Sequence, residues 1–207
     1  VGIIDYGMGN LQSVANACAH LGAEPTVLRR PEELKGLNRV ILPGVGAFSE
    51  GMKNLRHAGW DQALQRLNED GVASLLGICL GMQLLAESGV EGAPPGRQEQ
   101  GLKLIPGHIK RFSLTHPDLR VPHIGWNNIM VTRPNPVLTE DLSDDFYFVH
   151  SYHYTYALAD YVAATCDYGG VFAAAIHHRK VLGVQFHPEK SQKSGLKVLK
   201  NFLERGC

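Results

Sequence analysis

An α/β fold is predicted, with one mostly parallel central sheet, helices on both of its faces and added antiparallel strands. Three observations carry that expectation. Strand-like apolar runs and helical repeats alternate through the first half of the chain. The segments with unusual chemistry fall where apolar runs end, and parallel sheets place their functional groups at the carboxyl ends of strands. From Leu102 onwards the pattern changes to shorter strand-like pieces that suit hairpins and antiparallel additions.

The first strand is read at Val1 to Asp5. Asn10 is a candidate N-cap for a helix in which Leu11, Val14, Ala15, Cys18 and Leu21 share one face, and Gly22 closes it. Pro25 to Leu28 and Val40 to Leu42 read as the second and third strands. Helical stretches follow around Phe48 to His57 and Trp60 to Asn68. Val72 to Leu76 is a short buried strand, after which Leu80, Leu84 and Leu85 recur at helical spacing. The Gly/Pro-rich segment from Gly89 to Gln100 reads as a surface loop and not a linker, because patterned sequence continues on both sides. His108 to Phe112, Asn128 to Thr132, Phe146 to His150 and Val162 to Asp167 are the shorter strand-like pieces. Val181 to Phe186 alternates as a last strand. The helix from about Gln192 to Glu204, with Leu196, Val198, Leu199, Phe202 and Leu203 on one face, is expected to pack back on the sheet.

The length of 207 residues suits one domain over 1–207, and there is no internal repeat. Lys+Arg and Asp+Glu number 20 each, which gives no general attraction to nucleic acid or to an anionic membrane. No run approaches a transmembrane length, and Val1-Gly2-Ile3-Ile4 meets Asp5 at once, unlike a signal peptide. A soluble, cytoplasmic chain is expected, and its start at Val1 suggests that a residue or more precedes it. Cys18, Cys79, Cys166 and Cys207 show no paired spacing, which argues against a disulfide framework and a thiolate zinc site. The histidines do not change this. His177 and His178 would point to opposite faces of a strand, and no second cluster near them, or near His150 and His153, supplies ligands at metal spacing. No cofactor is expected, since there is no phosphate-binding loop ending in Gly-Lys-Ser/Thr. Gly7-Met8-Gly9 lacks the third glycine of the dinucleotide fingerprint and reads as a tight turn.

Gly77-Ile78-Cys79-Leu80-Gly81 places one cysteine between two glycines where a strand gives way to a helix, the layout of a nucleophile elbow. Neighbours without a Cβ allow a turn that pushes the central side chain into the open, and a helix N-terminus favours the thiolate. The alternative is an ordinary buried cysteine. The last strand ends in His187-Pro188-Glu189, and proline biases His187 to extended backbone, so residues 187 and 189 are expected on the same side. Cys79 as nucleophile, His187 as base and Glu189 as its orienter are therefore all present.

These two motifs together resemble the class I glutamine amidotransferases, whose cysteine elbow and terminal His-Pro-Glu form a Cys-His-Glu triad. Pro43-Gly44-Val45-Gly46-Ala47-Phe48, which alone would be an ordinary strand-to-helix turn, stands where these enzymes carry a glycine-rich oxyanion strand. The resemblance implies hydrolysis of the side-chain amide of L-glutamine to glutamate and ammonia through a Cys79 thioester. It implies oxyanion donors at the N–H groups of Val45, after a peptide reorientation, and of Leu80. It also implies substrate contacts from Gly44, Gly46, Gln83, Glu91, Ser151 and Tyr152, although for Glu91 a plain solvated carboxylate is the alternative.

Asp5 to Leu11, Pro43 to Phe48, Gly125-Trp126-Asn127 and His187 to Ser191 are similar to one branch of the family, the glutaminase subunits of a histidine-biosynthesis synthase. That likeness covers nearly the whole chain. It implies a heterodimer in which ammonia passes to a separate (β/α)8-barrel cyclase subunit, with Asn10, Trp126, Tyr147 and Lys190 at the interface. The competing role for Asn10 is a helix cap, for Trp126 and Tyr147 half-buried core, and for Lys190 a solvated charge. Two other functions compete: a stand-alone cysteine hydrolase of the same fold and a non-catalytic binding module.

Overall fold

The computed structural model describes every residue except 115, 143–144 and 156–158. Its first half alternates as expected: β1 (Gly2–Ile4), α1 (Leu11–His20), β2 (Thr26–Leu28), β3 (Arg39–Leu42), α2 (Phe48–His57), α3 (Trp60–Asp70), β4 (Ser74–Ile78) and α4 (Leu80–Leu84). The second half adds β5 (Ser88–Gly89), β6 (Glu99–Gln100), β7 (His108–Arg111), β8 (His123–Asn128), β9 (Met130–Val131), β10 (Asp145–His150) and β11 (Tyr152–Thr155). It ends with β12 (Val162–Asp167), β13 (Val171–His178), β14 (Val181–Val184) and α5 (Gln192–Arg205).

Strands β2, β1, β3, β4 and β14 lie side by side and pair in parallel. The sheet continues through antiparallel β13 and β11 to β7, β5 and β6, while β12 and β9 branch from β13. A separate antiparallel pair joins β8 to β10.

The central strands are covered on both faces, so they read as unbroken apolar runs. Side chains alternate between two cores. Ile3, Ile41, Leu76, Ile78, Leu182 and Val184 meet α1 and α5 through Val14, Cys18, Val198 and Phe202. Ile4, Val40, Leu42, Leu75 and Val181 face α2 and α3 through Phe48, Met52, Trp60 and Leu64.

Three strand expectations need correction. β13 is read in the sequence only at His177 and His178, yet it runs eight residues from Val171. Its Ala173-Ala174-Ala175 core has weak intrinsic strand preference, and pairing with β14 and β12 overrides it. The piece expected at Asn128 to Thr132 is split. Asn128 closes β8, buried Ile129 anchors the crossing, and β9 begins at Met130 in the other sheet. The last strand stops at Val184, and Pro188–Lys190 form a 3₁₀ turn.

Among the described residues no helix is long and apolar enough to cross a membrane. The tightest packing lies at the elbow: a Cβ on Gly81 would fall 1.8 Å from the Leu42 carbonyl oxygen, and one on Gly77 would fall 2.7 Å from the Gly81 oxygen. Gly81→Ala is therefore expected to lower stability by about 3 kcal/mol, since strand and elbow must part to admit a methyl group. Chemical denaturation of the variant checks this, and unchanged stability would mean the approach is not required.

Candidate active site

β4 delivers Cys79 and β14 delivers His187, and the two strands are adjacent and in register, with Gly183 opposite Gly77 and Val184 opposite Ile78. The Cys79 N–H donates to the Val184 carbonyl at 2.9 Å, which ties the elbow to the strand carrying the histidine. Cys79 has φ 52° and ψ −110°, a strained backbone conformation that non-glycine residues avoid. One feature is smaller than the sequence suggested. Helix α4 spans five residues, too few for the long aligned dipole that the sequence suggested.

The Nδ1 atom of His187 lies 2.9 Å from Oε1 of Glu189, and the two side chains are 3% and 1% exposed. They meet differently from the expected extended arrangement. His187 is extended at φ −98° and ψ 95°, and the 3₁₀ turn then swings Glu189 back under the ring. The His187 carbonyl accepts from Ser191 Oγ at 2.6 Å, and the same hydroxyl accepts from the Tyr147 N–H at 3.0 Å.

Nε2 of His187 has no partner within ordinary hydrogen-bonding geometry among the described residues. Burial lowers the pKa of this ring, but its contacts with Cys79 and Glu189 and their negative charges outweigh that, raising it from 6.5 to about 10. Burial raises the other thiols instead, Cys18 to about 11 and Cys166 and Cys207 to about 12. All four cysteines are free.

Cys79 and His187 open on a cavity of about 520 Å³ that is also lined by Val45, Gly46, Leu80, Gln83, Glu91, Ser151 and Tyr152. Thus every proposed triad or substrate residue except Gly44 and Glu189 borders it. Gly44 is buried behind the wall, where a Cβ would come within 2.5 Å of the Tyr6 hydroxyl and 2.8 Å of the Gly81 nitrogen. Glu91 accepts the Phe48 N–H at 3.2 Å, and burial holds its carboxyl above the usual range against the opposing effect of that bond. The Gly7-Met8-Gly9 turn packs beneath the glycine segment, with Met8 beside Gly46 and Gly9 beside Pro43. A second cavity of about 520 Å³, around Pro31, Leu34, Ala63 and Leu67, contains no cysteine or histidine in its lining.

Several neighbours of the sulfur escape the sequence reading. Gln185 is fully buried and its Nε2 lies 3.8 Å from Cys79 Sγ, while the Val149 carbonyl lies 4.0 Å away. Pro122 and Ala47 complete the wall. The available signal was an amide in an otherwise apolar strand two residues before His187. His150 also lines this cavity, beside Ser151 and Tyr152, although it is only 6% exposed. Burial, first among several influences, takes His150 down to about 3, and burial takes His123 down to about 4.

Of the proposed interface residues, Asn10 caps α1 by accepting the Ser13 N–H at 3.3 Å. Trp126 is exposed and not core, with its ring 6.0 Å from that of half-buried Tyr147. Exposed Lys190 sets its Nζ 5.9 Å over the Tyr147 ring. No group of three or more histidine, cysteine, aspartate or glutamate side chains that could hold a metal occurs among the described residues.

Residues 2–205 match the sequence family described as glutamine amidotransferase class-I. The chain belongs to that family. It is 46% identical over 205 residues to the imidazole glycerol phosphate synthase subunit HisH of Moorella thermoacetica, covering 99% of this chain and 94% of that one. The protein of the same name from Methanosarcina acetivorans is 46% identical over 206 residues, covering 98% and 96%. A crystal structure of a glutamine amidotransferase superposes with TM-score 0.74 at 24% identity, covering 99% of this chain and 97% of that one. A PurLQS structure from Thermotoga maritima gives 0.73 at 18%, covering 98% and 96%. At these identities the two structures establish the class I glutamine amidotransferase fold and nothing finer.

Two measurements follow from the electrostatics. In an NMR titration the His187 ring is expected to remain an imidazolium through neutral pH and to lose its proton near pH 10. Its contribution to stability is complete below about pH 6.5 and is lost as pH rises through about 10; Glu189→Gln is expected to lower the upper limit, the folded-state pKa, and to leave the lower one, set by the unfolded chain, unchanged. A His187 ring that titrates near 6.5 would contradict the pairing. Iodoacetamide at neutral pH is expected to modify Cys79 before Cys18, Cys166 and Cys207, whose thiols burial keeps protonated. Peptide mapping reads the order, and equal labelling of all four would refute it.

Proposed function

We propose that this chain is the glutaminase subunit of a two-subunit imidazole glycerol phosphate synthase, with Cys79, His187 and Glu189 as its triad. The observation that carries the reading is the meeting of Cys79 with the buried His187–Glu189 pair on one cavity, in a chain whose full-length relatives bear that name.

Cys79 attacks the side-chain amide carbon of L-glutamine as the thiolate. The imidazolium of His187 gives its proton to the leaving nitrogen, so the C–N bond breaks, ammonia departs and a thioester remains. The neutral ring then takes a proton from water, whose oxygen attacks the thioester; glutamate leaves and the sulfur is restored. Glu189 holds the ring by Nδ1, which keeps Nε2 for the reacting atoms. Negative charge that develops on the amide oxygen needs N–H donors, a role for the N–H groups of Val45, after a peptide reorientation, and of Leu80, both of which line the cavity. Glu91 suits the α-ammonium group of the substrate, and Gly46, Gln83, Ser151 and Tyr152 shape the remainder. Gly44 acts by packing.

A partner that consumes the ammonia fits the surface. β8 and β10 turn Ile124, Trp126, Tyr147 and Val149 outward as paired neighbours, and Ile124, Trp126 and Val149 are 59%, 48% and 36% exposed. This apolar patch adjoins the cavity through Val149, which lines it. A (β/α)8-barrel cyclase docked there, with Asn10 and Lys190 at the rim, would receive ammonia from the site in a cytoplasmic heterodimer. The backbone links support such coupling, since the Tyr147 carbonyl accepts the His187 N–H at 2.9 Å.

Cys79→Ala is expected to abolish glutamate release, whereas Glu189→Gln is expected to lower turnover by a smaller factor. Glutaminase assays on both variants check the ranking. The unaltered chain alone is expected to turn over slowly and to be strongly activated by a co-purified barrel subunit carrying its ligand. Full activity without a partner would favour a stand-alone hydrolase.

A further inference from the structure

The inward face of the β8/β10 pair carries a chain of hydrogen bonds that the reaction above does not use. His150 Nδ1 lies 2.8 Å from the Tyr152 carbonyl, and His150 Nε2 lies 3.1 Å from His123 Nδ1. His123 Nε2 lies 3.4 Å from Asn127 Nδ2, which also donates to the Asp167 carbonyl at 3.0 Å. On the far side, Gln83 Nε2 donates to the same Tyr152 carbonyl at 3.0 Å and to Gln185 Oε1 at 3.0 Å. Gln185 Nε2 then points at the Cys79 sulfur.

The direction of every bond is fixed by chemistry. A carbonyl only accepts, so His150 must carry its proton on Nδ1. Both rings are buried and neutral, which leaves Nε2 of His150 bare and requires His123 to donate from Nδ1. His123 Nε2 is then bare as well and accepts from Asn127. The tautomers are thus set in sequence from the Tyr152 carbonyl outward to Asn127. The Tyr152 carbonyl is the junction, using both lone pairs for His150 and Gln83.

We propose that His123 and His150 are positioning residues of this site: their directed chain from Asn127 fixes the Tyr152 carbonyl, and through it the Gln83 amide and the Gln185 donor at the Cys79 sulfur. This rests on the reading of Cys79 as a glutaminase nucleophile. Neither imidazole is hydrogen-bonded to the sulfur, and His150 itself borders the cavity. Because Ser151, Tyr152 and Gln83 line the cavity, the chain governs glutamine binding first and the rate of the chemical step second. The opposite face of the same two strands is the exposed apolar patch, so a partner that shifts β8 against β10 changes the His123–His150 distance directly.

The test joins an NMR readout to a variant series. Long-range ¹⁵N–¹H spectra of the unaltered chain at neutral pH are expected to show both His123 and His150 as neutral Nδ1–H tautomers; an Nε2–H tautomer at either overturns the chain. His150→Phe, at a site ringed by Phe112, Phe148 and Phe172, is expected to reduce glutaminase kcat/KM of the partner-bound enzyme by at least about tenfold, mainly through KM. His150→Asn keeps a donor for the Tyr152 carbonyl and is expected to restore most of the loss, while His123→Phe falls between them. A change in His150→Phe of less than about twofold, or a loss confined to kcat with KM unmoved, refutes the positioning role. If that variant fails to fold, the tautomers of the unaltered chain decide. Glutaminase activity surviving in Cys79→Ala would instead refute the functional reading and leave the tautomer result standing.

Discussion

The parallel pairing of β4 with β14 is the constraint on which the site depends. It sets Ile78 opposite Val184, so the chain leaves two neighbouring strands at one level, through Cys79 on one and toward His187 on the other. Residues more than a hundred positions apart thereby share a cavity without a long loop to hold either. The bond from the Cys79 N–H to the Val184 carbonyl extends the ladder one step beyond the strand, into the strained turn. Strain of this kind persists only where its surroundings over-determine it. Here the determinants are the close approaches of Gly81 to the Leu42 carbonyl and of Gly77 to Gly81, which leave the elbow no room to relax.

Electrostatics completes what the ladder positions. A carboxylate and an imidazole that are almost fully buried would be costly apart, yet at 2.9 Å each satisfies the other, and the ring is held as a cation facing a sulfur. The remaining histidines near the cavity show the converse. His123 and His150 lie in an aromatic cluster with Phe112, Phe148, Tyr168 and Phe172, where among the described residues no carboxylate offsets the loss of water, and both stay neutral. One residue type is therefore held charged at one position and neutral at two others around one cavity.

The β8/β10 pair links the site to the surface by the period-2 geometry of strands. Alternate residues face outward as an apolar patch and inward as the histidine chain, and Tyr147 contributes backbone bonds to the segment that bears His187. A single element thus contacts solvent, the cavity and the segment that bears His187. Small shifts between these packed strands would reach the cavity through contacts already made.

By itself the sequence determined the alternation of β1 through α4, the elbow at Cys79 and the His187–Glu189 motif. These depend on local rules: apolar periodicity, glycines where a Cβ cannot fit and a proline that restrains the histidine. Tertiary structure decided everything that depends on partners distant in the chain. The alanines of β13 became a strand because neighbouring edges paired with them, and Asn128 to Thr132 was divided because two sheets claimed its ends. Glu189 reached His187 through a 3₁₀ turn instead of an extended strand. Gln185 became a neighbour of the sulfur, and Gly44 a packing position behind the cavity wall, because strand register and elbow contacts, which no local pattern encodes, choose what each side chain meets.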